Sequence, residues 1–510
     1  MINTDKLIEK IKTARVYDVA IKTSLEKMAL MSVRLSNNVY IKREDQQEVF
    51  SFKIRGAYNK ISGLSADQLA KGIIGASAGN HAQGIAVAAA RVGIRPTIVM
   101  PKTTPDIKVD AVKRLGGEVI LHGNTYDDAS SHAYKLSAES NATYIHPYDD
   151  EDVIAGQGTV AVEIIDQMDE APYAVFIPVG GGGLISGMAV WLNNHNPNIK
   201  IIGVEPDDAP CMYEALKAGE RTVLDHVGIF ADGVAVKQVG ELPFELARDL
   251  IDEVILVNTD ETCAAIKDIY DESRSIMEPA GALALAGLKK YVARESIADK
   301  NLVAVNSGAN INFDRLRHVA ERAEIGEQKE SLFAVTIPER PGSFHEFCHL
   351  LGNRGITEFN YRYADERTAH VFAGIQLKNG EVEKQQILDK LGERQFEVVD
   401  LSDDELAKQH IRYMVGGRSP SLVNERLYRF EFPERPGALL RFLSCLRGQW
   451  NISLFHYRNH GSDYGRVLAG FQVPENELQD FQCFLDELGY TYGNESENPA
   501  YRLFLSSAGK

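Results

Sequence analysis

Short apolar runs alternate with helical patterns from about residue 50 to residue 320, and this alternation constrains the fold more than any other feature. The runs are rich in Val and Ile and show little polar alternation, as expected for strands covered on both faces. They lie at 72–77, 97–101, 174–180, 199–206 and 302–308. Patterns typical of helices follow at 81–93 and 184–195. A repeated strand-then-helix order predicts an open, mostly parallel α/β sheet.

The last third of the chain contains an internal duplication. LFAVTIPERPG (332–342) is matched 95 residues later by LYRFEFPERPG (427–437), and ITEFNYRY (356–363) is matched 96 residues later by ISLFHYRN (452–459). Each copy predicts a strand, turn, helix, strand, strand and helix, which is close to half of a ferredoxin-like α+β pattern. The polar stretch GEQKES (326–331) suits a linker. We therefore expect three domains, at 1–325, 326–415 and 416–510.

Charge and cysteine content exclude several classes of protein. The formal net charge of −17 argues against nucleic acid or an anionic membrane as a partner. The five cysteines are dispersed and form no CxxC motif, which argues against a disulfide framework or a thiolate metal site. The chain has neither a signal-peptide pattern at its start nor a run of about 20 apolar residues. These features predict a cytoplasmic protein.

Three short segments carry candidate chemistry. SFKIRGA (51–57) places Lys53 after Phe52; a lone lysine is usually a solvated surface charge, so this segment needs support from others. SAGNHAQG (77–84) and GGGGL (180–184) each lie between a predicted strand and a helix. The unpaired N–H groups at such helix starts bind carboxylates and phosphates. Together the segments supply an amine, a phosphate site and a carboxylate site, which is the set that pyridoxal phosphate requires.

These segments and VNSGAN (305–310) resemble, in the same order, the motifs of fold-type-II pyridoxal-phosphate enzymes, specifically the threonine and serine dehydratases. The resemblance covers roughly residues 15–320 and includes VYIKRED (39–45) and MEPAGALALAG (277–287). With the doubled tail, the chain is most similar to biosynthetic threonine deaminases. The resemblance implies a tryptophan-synthase-β-like fold of two α/β subdomains, followed by two ACT-like regulatory domains.

The resemblance also implies a role for each matching residue. Lys53 would be the Schiff-base lysine and the base that removes the substrate Cα proton, and Phe52 would pack against the cofactor ring. Asn80 would bind the ring hydroxyl, and Ser307 would face the pyridine nitrogen. The implied phosphate-binding residues are Gly180, Gly181, Gly182, Gly183 and Leu184. The implied carboxylate-binding turn consists of Ser77, Gly79, Asn80 and His81.

The implied activity is deamination of L-threonine to 2-oxobutanoate and ammonia, the first step of isoleucine biosynthesis. Serine dehydration, another β-elimination or β-replacement, and a catalytically silent amino-acid sensor remain alternatives. Racemisation is disfavoured, because racemase relatives carry a serine where this chain has Ala78. Metal near Glu205 is not expected, because Cys211 occupies the position of an acidic ligand.

Two further motifs have less support. GASAG (75–79) matches the GxSxG elbow of hydrolases, with Ser77 as nucleophile, but that interpretation leaves the lysine and glycine segments unexplained. HEFCH (345–349) matches the zinc motif HExxH, whereas the second copy has Leu440 and Ser444 at the two histidine positions. A packing helix is the better interpretation of HEFCH.

The doubled tail predicts an amino-acid effector site. The edge of a small sheet can pair with its twin, and the turns at 338–342 and 433–437 could present N–H groups to a carboxylate. Tyr361 and Tyr457 occupy equivalent positions, at which the family has regulatory tyrosines; packing is an equally good interpretation for strand tyrosines. The resemblance implies inhibition by isoleucine, opposition by valine and a homotetramer.

Overall fold

The computed structural model describes residues 4–364, 366–419, 422–433, 437–458 and 464–506. The chain divides into two compact units, Met1–Ala323 and Glu324–Lys510. Within the described residues, no helix is both long enough and apolar enough to cross a bilayer.

Two sheets form the frame of the first unit. Its strands are β1 (Leu25–Lys27), β2 (Asn38–Arg43), β3 (Ile73–Ala76), β4 (Thr97–Met100), β5 (Glu118–Leu121), β6 (Thr143–Tyr144), β7 (Ala174–Pro178), β8 (Lys200–Pro206), β9 (Glu253–Val257) and β10 (Asn301–Asn306). The larger sheet has the order β1-β2-β10-β7-β8-β9 and the smaller has the order β5-β4-β3-β6. All of these pairings are parallel except β1 with β2. The expected mostly parallel α/β architecture is confirmed.

Helices cover these sheets. They are α1 (Thr4–Lys12), α2 (Ala29–Leu35), α3 (Lys53–Ser62), α4 (Ala66–Ala70), α5 (Asn80–Arg91), α6 (Asp106–Arg114), α7 (Tyr126–Ser140), α8 (Glu151–Gln167), α9 (Gly183–His195), α10 (Cys211–Ala218), α11 (Glu241–Leu250), α12 (Thr259–Ser273), α13 (Pro279–Glu295) and α14 (Arg315–Gly326). Along β7, Phe176 packs into one hydrophobic cluster, whereas Val175 and Ile177 pack into another. Burial on both faces explains why the strands lack polar alternation.

Two glycines let α3 approach its neighbours closely, and α3 begins at Lys53. A Cβ atom on Gly84 of α5 would lie 3.1 Å from the carbonyl carbon of Lys53. A Cβ atom on Gly156 of α8 would lie 2.7 Å from the carbonyl oxygen of Arg55. Side chains at these two positions would push α3 away, so the glycines fix the position of the Lys53 backbone.

The second unit is one eight-stranded sheet with helices. Its elements are β11 (Glu330–Pro338), α15 (Ser343–Leu351), β12 (Ile356–Arg362), β13 (Thr368–Gln376), α16 (Gly380–Glu393), β14 (Glu397–Asp400), α17 (Glu405–Gln409), β15 (Glu425–Pro433), α18 (Ala438–Leu446), β16 (Asn451–Arg458), β17 (Tyr464–Gln472), α19 (Leu478–Leu488) and β18 (Thr491–Asn494). The strand order is β14-β11-β13-β12-β16-β17-β15-β18. The expected pairing of the two copies by their sheet edges is confirmed, because β12 pairs antiparallel with β16.

Each copy has one more strand than the sequence predicts. The added strands β14 and β18 complete a βαββαβ order, so each copy is a whole ferredoxin-like unit rather than half of one. Both are four-residue strands at the outer edges of the sheet, and their side chains are exposed or half-buried. Their short length and lack of a buried face explain why the sequence pattern did not indicate them.

Candidate active site

Lys53 begins α3 and its side chain lines a cavity of about 560 Å³ in the first unit. Its Nζ donates a hydrogen bond to the Pro147 carbonyl oxygen at 3.1 Å and lies 5.1 Å from the centre of the Phe52 ring. Desolvation lowers the pKa of the amine to about 8, against the opposing effect of the Glu278 carboxyl. A substantial neutral fraction of this amine is therefore present near pH 7–8, as a nucleophile or base requires.

The cavity wall brings together all the catalytic, cofactor-binding and substrate-binding residues that the sequence predicts. They are Phe52, Lys53, Ser77, Gly79, Asn80, His81, Gly180, Gly181, Gly182, Gly183, Leu184 and Ser307. They come from different sheets and helices of the unit, so their convergence is a property of the fold rather than of sequence spacing.

The glycine run follows β7 and leads into the first residue of α9. Gly182 has φ +92°, in the left-handed region where a side chain would be strained. A Cβ atom on Gly181 would lie 2.2 Å from the Tyr148 ring, and one on Gly180 would lie 2.9 Å from the Val234 backbone. The cavity is therefore faced by backbone at this point. Unpaired N–H groups at the start of α9 suit a phosphate.

The SAGNH turn lies between β3 and α5. Its Ser77 hydroxyl oxygen accepts a hydrogen bond from the Gly79 N–H at 3.2 Å, and α5 begins at Asn80. The His81 Nε2 lies 2.9 Å from the Ile145 carbonyl oxygen, to which it donates. Burial and the Lys53 amine lower the pKa of His81 to about 3, so its ring is neutral. The start of α5 can thus receive a carboxylate through backbone N–H groups.

Ser307 lies directly after β10, and its side chain is buried. The hydroxyl donates to the Ala280 carbonyl oxygen at 3.3 Å. A hydroxyl group at this position brings no negative charge to the cavity.

The structure adds residues to this site that the sequence did not assign. Glu278, Asn310, Tyr148, Lys108 and Asp232 all line the cavity. Lys108 Nζ and Asp232 Oδ2 are 2.7 Å apart, forming an ion pair between α6 and a short 3-10 helix at Asp232–Val234. Glu278 lies in the MEPAGALALAG segment and Asn310 in VNSGAN, but neither segment assigned them a role, and nothing in the sequence pattern singles out the other three residues.

Glu205 and Cys211 lie beneath the glycine run. Glu205 accepts hydrogen bonds from the Met212 and Tyr213 N–H groups, both at 2.8 Å. The Cys211 thiol lies 3.2 Å from the Gly180 carbonyl oxygen and 3.5 Å from Glu205 Oε1. Burial raises the pKa of Glu205 to about 8. The Glu205 carboxyl group thus caps the start of α10. The Cys211 thiol connects this carboxyl group to the Gly180 carbonyl oxygen.

No group of three or more His, Cys, Asp or Glu residues within the described part of the chain could hold a metal ion. The two histidines of HEFCH have ring centres 6.3 Å apart on α15, and His345 Nε2 lies 3.2 Å from the Ser444 hydroxyl. The sequence comparison of the two copies already favoured packing for this helix.

The cavity fits pyridoxal phosphate. Its volume lies within the roughly 300–1,000 Å³ range of small-molecule sites. A partly neutral lysine amine and backbone N–H groups facing the same space match the aldehyde and the phosphate of that cofactor. Together with the parallel sheets, this site defines a pyridoxal-phosphate-dependent enzyme of fold type II.

Comparison with known proteins leads to the same class and narrows it. Residues 16–308 match the family model "Pyridoxal-phosphate dependent enzyme", and residues 321–411 and 416–505 match the "C-terminal regulatory domain of Threonine dehydratase". A biosynthetic L-threonine dehydratase of Burkholderia multivorans is 56% identical, over 98% of this chain and 99% of its own. A biosynthetic L-threonine dehydratase of Escherichia coli is 53% identical, over 97% of this chain and 96% of its own. The chain belongs to the biosynthetic threonine dehydratase family.

Solved structures show the same likeness over about three fifths of the chain. The processed form of threonine deaminase isoform 2 from Solanum lycopersicum is 52% identical, with a TM-score of 0.62 over 63% of this chain and 93% of that one. A maize serine racemase is 31% identical, with a TM-score of 0.58 over 61% and 96%. The enzyme is therefore a pyridoxal-phosphate-dependent lyase by family, on a fold shared with racemases.

Proposed function

We propose that this protein deaminates L-threonine to 2-oxobutanoate and ammonia by eliminating water, as the first step of isoleucine biosynthesis. The observation that carries the proposal is the Lys53 amine, lowered in pKa, facing the same cavity as the Gly180–Gly183 backbone. Near-full-length similarity to biosynthetic threonine dehydratases supports threonine as the substrate.

Different residues of the cavity would bind the cofactor and transfer the proton. Bound pyridoxal phosphate supplies an electron sink that makes the substrate Cα proton acidic. Lys53 Nζ would hold the cofactor and then accept that proton. N–H groups of 180–184 would bind the phosphate, and Phe52 would pack against the ring.

The SAGNH turn would orient the substrate. The turn formed by Ser77, Gly79, Asn80 and His81 would bind the substrate carboxylate, with the N–H groups at the start of α5 as donors. The Asn80 amide would also donate to the ring hydroxyl oxygen. Ala78 has no side-chain proton to return to the opposite face of Cα, which favours elimination over racemisation.

A 2-oxo-acid assay with L-threonine and L-serine tests the substrate. We expect a kcat/KM for threonine that exceeds the value for serine. A preference for serine would favour the serine dehydratase alternative. A purified protein without cofactor absorbance and without turnover would favour the silent amino-acid sensor.

Replacing Ser307 by Asp should lower kcat by about tenfold, equal to about 1.4 kcal/mol in the barrier, and change the cofactor absorbance. An ionised carboxylate would keep a proton on the pyridine nitrogen, whereas the Ser307 hydroxyl does not. Ser307→Ala, which adds no charge, is the matched control and should change the spectrum less. Wild-type kinetics and spectrum in Ser307→Asp would remove Ser307 from its assigned role.

The second unit senses an amino acid, in keeping with its regulatory-domain family. We propose that isoleucine inhibits, that valine opposes it, and that Tyr361 and Tyr457 take part. Both tyrosines are buried on the central strands β12 and β16. The Tyr361 hydroxyl donates to Glu339, which also accepts from Asn451 Nδ2 of the other copy at 2.9 Å. A change at Tyr361 therefore reaches both copies.

A small cleft lies between the copies, but its volume of about 10 Å³ is close to that of one water molecule, so it carries no argument for a bound amino acid. Its lining combines one cation with apolar side chains, namely Arg340, Phe344, Leu443, Leu446, Trp450 and Ile452. Of the second PERPG turn, residues 434–436 lie outside the described residues.

Isoleucine titration of activity should distinguish the tyrosines from packing residues. We expect Tyr361→Ala and Tyr457→Ala to raise the half-inhibiting concentration by roughly 5- to 150-fold, the usual range of allosteric coupling. Tyr361→Phe keeps the ring and removes only the Glu339 contact, so it separates packing from hydrogen bonding. Superimposable curves for wild type and both alanine variants would reject the assignment.

We further propose a cytoplasmic homotetramer with domains at 1–325, 326–415 and 416–510. Five unpaired cysteines, three of them buried, support a reducing compartment. The family resemblance supports the tetramer, and the duplication supports the domain limits.

A further inference from the structure

Glu278 is a buried carboxyl group on the cavity wall for which the proposed reaction has no role. It precedes α13, and only 3% of its surface is exposed. Its N–H donates to the Gly308 carbonyl oxygen at 3.2 Å, which ties the start of α13 to the loop after β10. The charged groups that act on it are Asp232, Lys108 and Lys53.

Three side chains form a relay from the β10 loop to Glu278. Asn310 Nδ2 donates to the Val49 carbonyl oxygen at 2.8 Å and to Asn80 Oδ1 at 2.7 Å. Asn80 Nδ2 in turn donates to Glu278 Oε1 at 2.6 Å. An amide nitrogen carries two hydrogens, so this arrangement leaves Asn80 one N–H for the cavity.

We propose that Glu278 is a positioning residue, whose carboxylate holds the Asn80 amide with its nitrogen towards the cavity so that Asn80 donates to the ring oxygen of the bound cofactor. This inference rests on the proposed contact between Asn80 and the cofactor.

The two neighbours of Asn80 act on opposite ends of its amide. The oxygen and nitrogen of an amide have almost the same shape, so only hydrogen-bond partners fix which one points where. The Asn310 amide donates, so it pairs with the amide oxygen of Asn80. An ionised Glu278 can only accept, so it pairs with the amide nitrogen of Asn80. Both contacts favour the same orientation of the amide, so each of them strengthens it.

Glu278 also acts on Lys53 through its charge. Burial and Asp232 raise the pKa of Glu278 to about 7, so its carboxyl is partly ionised at neutral pH. The ionised form raises the pKa of the Lys53 amine, opposing burial. Removing that charge should lower the pKa of the Lys53 nitrogen. The positioning of Asn80 therefore affects the cofactor affinity, whereas the charge of Glu278 affects the pKa of the Lys53 nitrogen.

The experiment compares Glu278→Ala and Glu278→Gln with wild type in the full chain. Pyridoxal phosphate affinity is measured by titrating the apoprotein, and the pH midpoint of the cofactor absorbance is measured in the holoprotein. Asp268→Asn is the matched control. Asp268 is a buried carboxyl paired with Arg34 and Lys289, and it is not part of the cavity wall.

We expect Glu278→Ala to weaken cofactor binding by about tenfold, the size of one charge-assisted hydrogen bond. Glu278→Gln keeps an acceptor oxygen and should retain most of that affinity. Both variants should lower the absorbance midpoint by about one pH unit. Asp268→Asn should change neither quantity.

Two results would overturn the proposal. One is wild-type affinity and midpoint in Glu278→Ala; if that variant does not fold, a wild-type midpoint in Glu278→Gln has the same force. The other is a loss of cofactor affinity in Asp268→Asn that matches the loss in Glu278→Ala, once both are compared with the fall in melting temperature. Threonine turnover by the wild type is measured in a separate assay. If threonine is not the substrate, the comparison of cofactor affinity and absorbance midpoint still holds.

Discussion

Lys53→Ala should abolish the cofactor absorbance and lower kcat/KM for threonine by roughly 10⁴-fold or more. The Lys53 amine forms the covalent bond to the cofactor and is also the base that accepts the Cα proton, so one substitution removes both functions. The other lysine that lines the cavity, Lys108, is held in an ion pair with Asp232, so we expect no second amine to replace Lys53.

Lys60→Ala is the control for this variant. Lys60 lies two turns further along α3 and forms ion pairs with Asp150 and Asp152 near the surface. Its loss should leave kcat/KM within about threefold of wild type, because this partly buried ion pair does not line the cavity. Residual turnover above one per cent in Lys53→Ala would exclude Lys53 as the essential amine.

Arg55→Leu should lower the free energy of unfolding of the first unit by about 3–5 kcal/mol. Arg55 is fully buried and bridges two buried carboxylates, with 2.7 Å to Glu44 and 2.6 Å to Glu163. Without it, Lys42 is the one cation among the described residues paired with this cluster, at 2.7 Å from Glu163. Leaving a buried charge without its partner is what makes the substitution severe.

The loss should depend on pH in a defined direction. Burial alone would raise the pKa of Glu44, but Arg55 holds it below its usual value. In wild type this stabilisation is present above the unfolded pKa and is lost as pH falls through the folded one. In the variant the Glu44 carboxyl takes up a proton more readily. The stability difference should therefore shrink from pH 7 to about pH 4–5.

Arg294→Leu is the matched comparison for thermal or urea unfolding. Arg294 also pairs with a carboxylate, Glu253, but its side chain is 48% exposed. Its removal should change stability by about 0–1 kcal/mol. Equal melting temperatures for the two variants would contradict a structural role for the buried cluster.

The parallel sheets and the two ligand-binding turns follow from local sequence patterns, whereas the roles of Phe52, Asn80 and Ser307 came from the family resemblance. Strands such as 174–180 are apolar on both faces, and the glycine run and the SAGNH turn mark chain reversals at which backbone N–H groups face a ligand. These signals are short-range, so one sequence suffices to identify them.

The remaining features depend on contacts between distant parts of the chain. Asn310 and Asn80 are 230 residues apart, and Glu278 and Asn80 are 198 apart, so no spacing predicts their relay. Likewise, Gly181 is required partly by the Tyr148 ring, which the motif does not contain. Strands β14 and β18 lack a buried face, and propensity alone did not reveal them.

The most direct test of the account is to reduce the purified protein with borohydride and locate the cofactor by peptide mass spectrometry. Reduction makes the lysine–cofactor bond permanent. The account predicts one modified peptide, with pyridoxal phosphate on Lys53. A label on any other lysine, or no label in protein that turns over threonine, would contradict it.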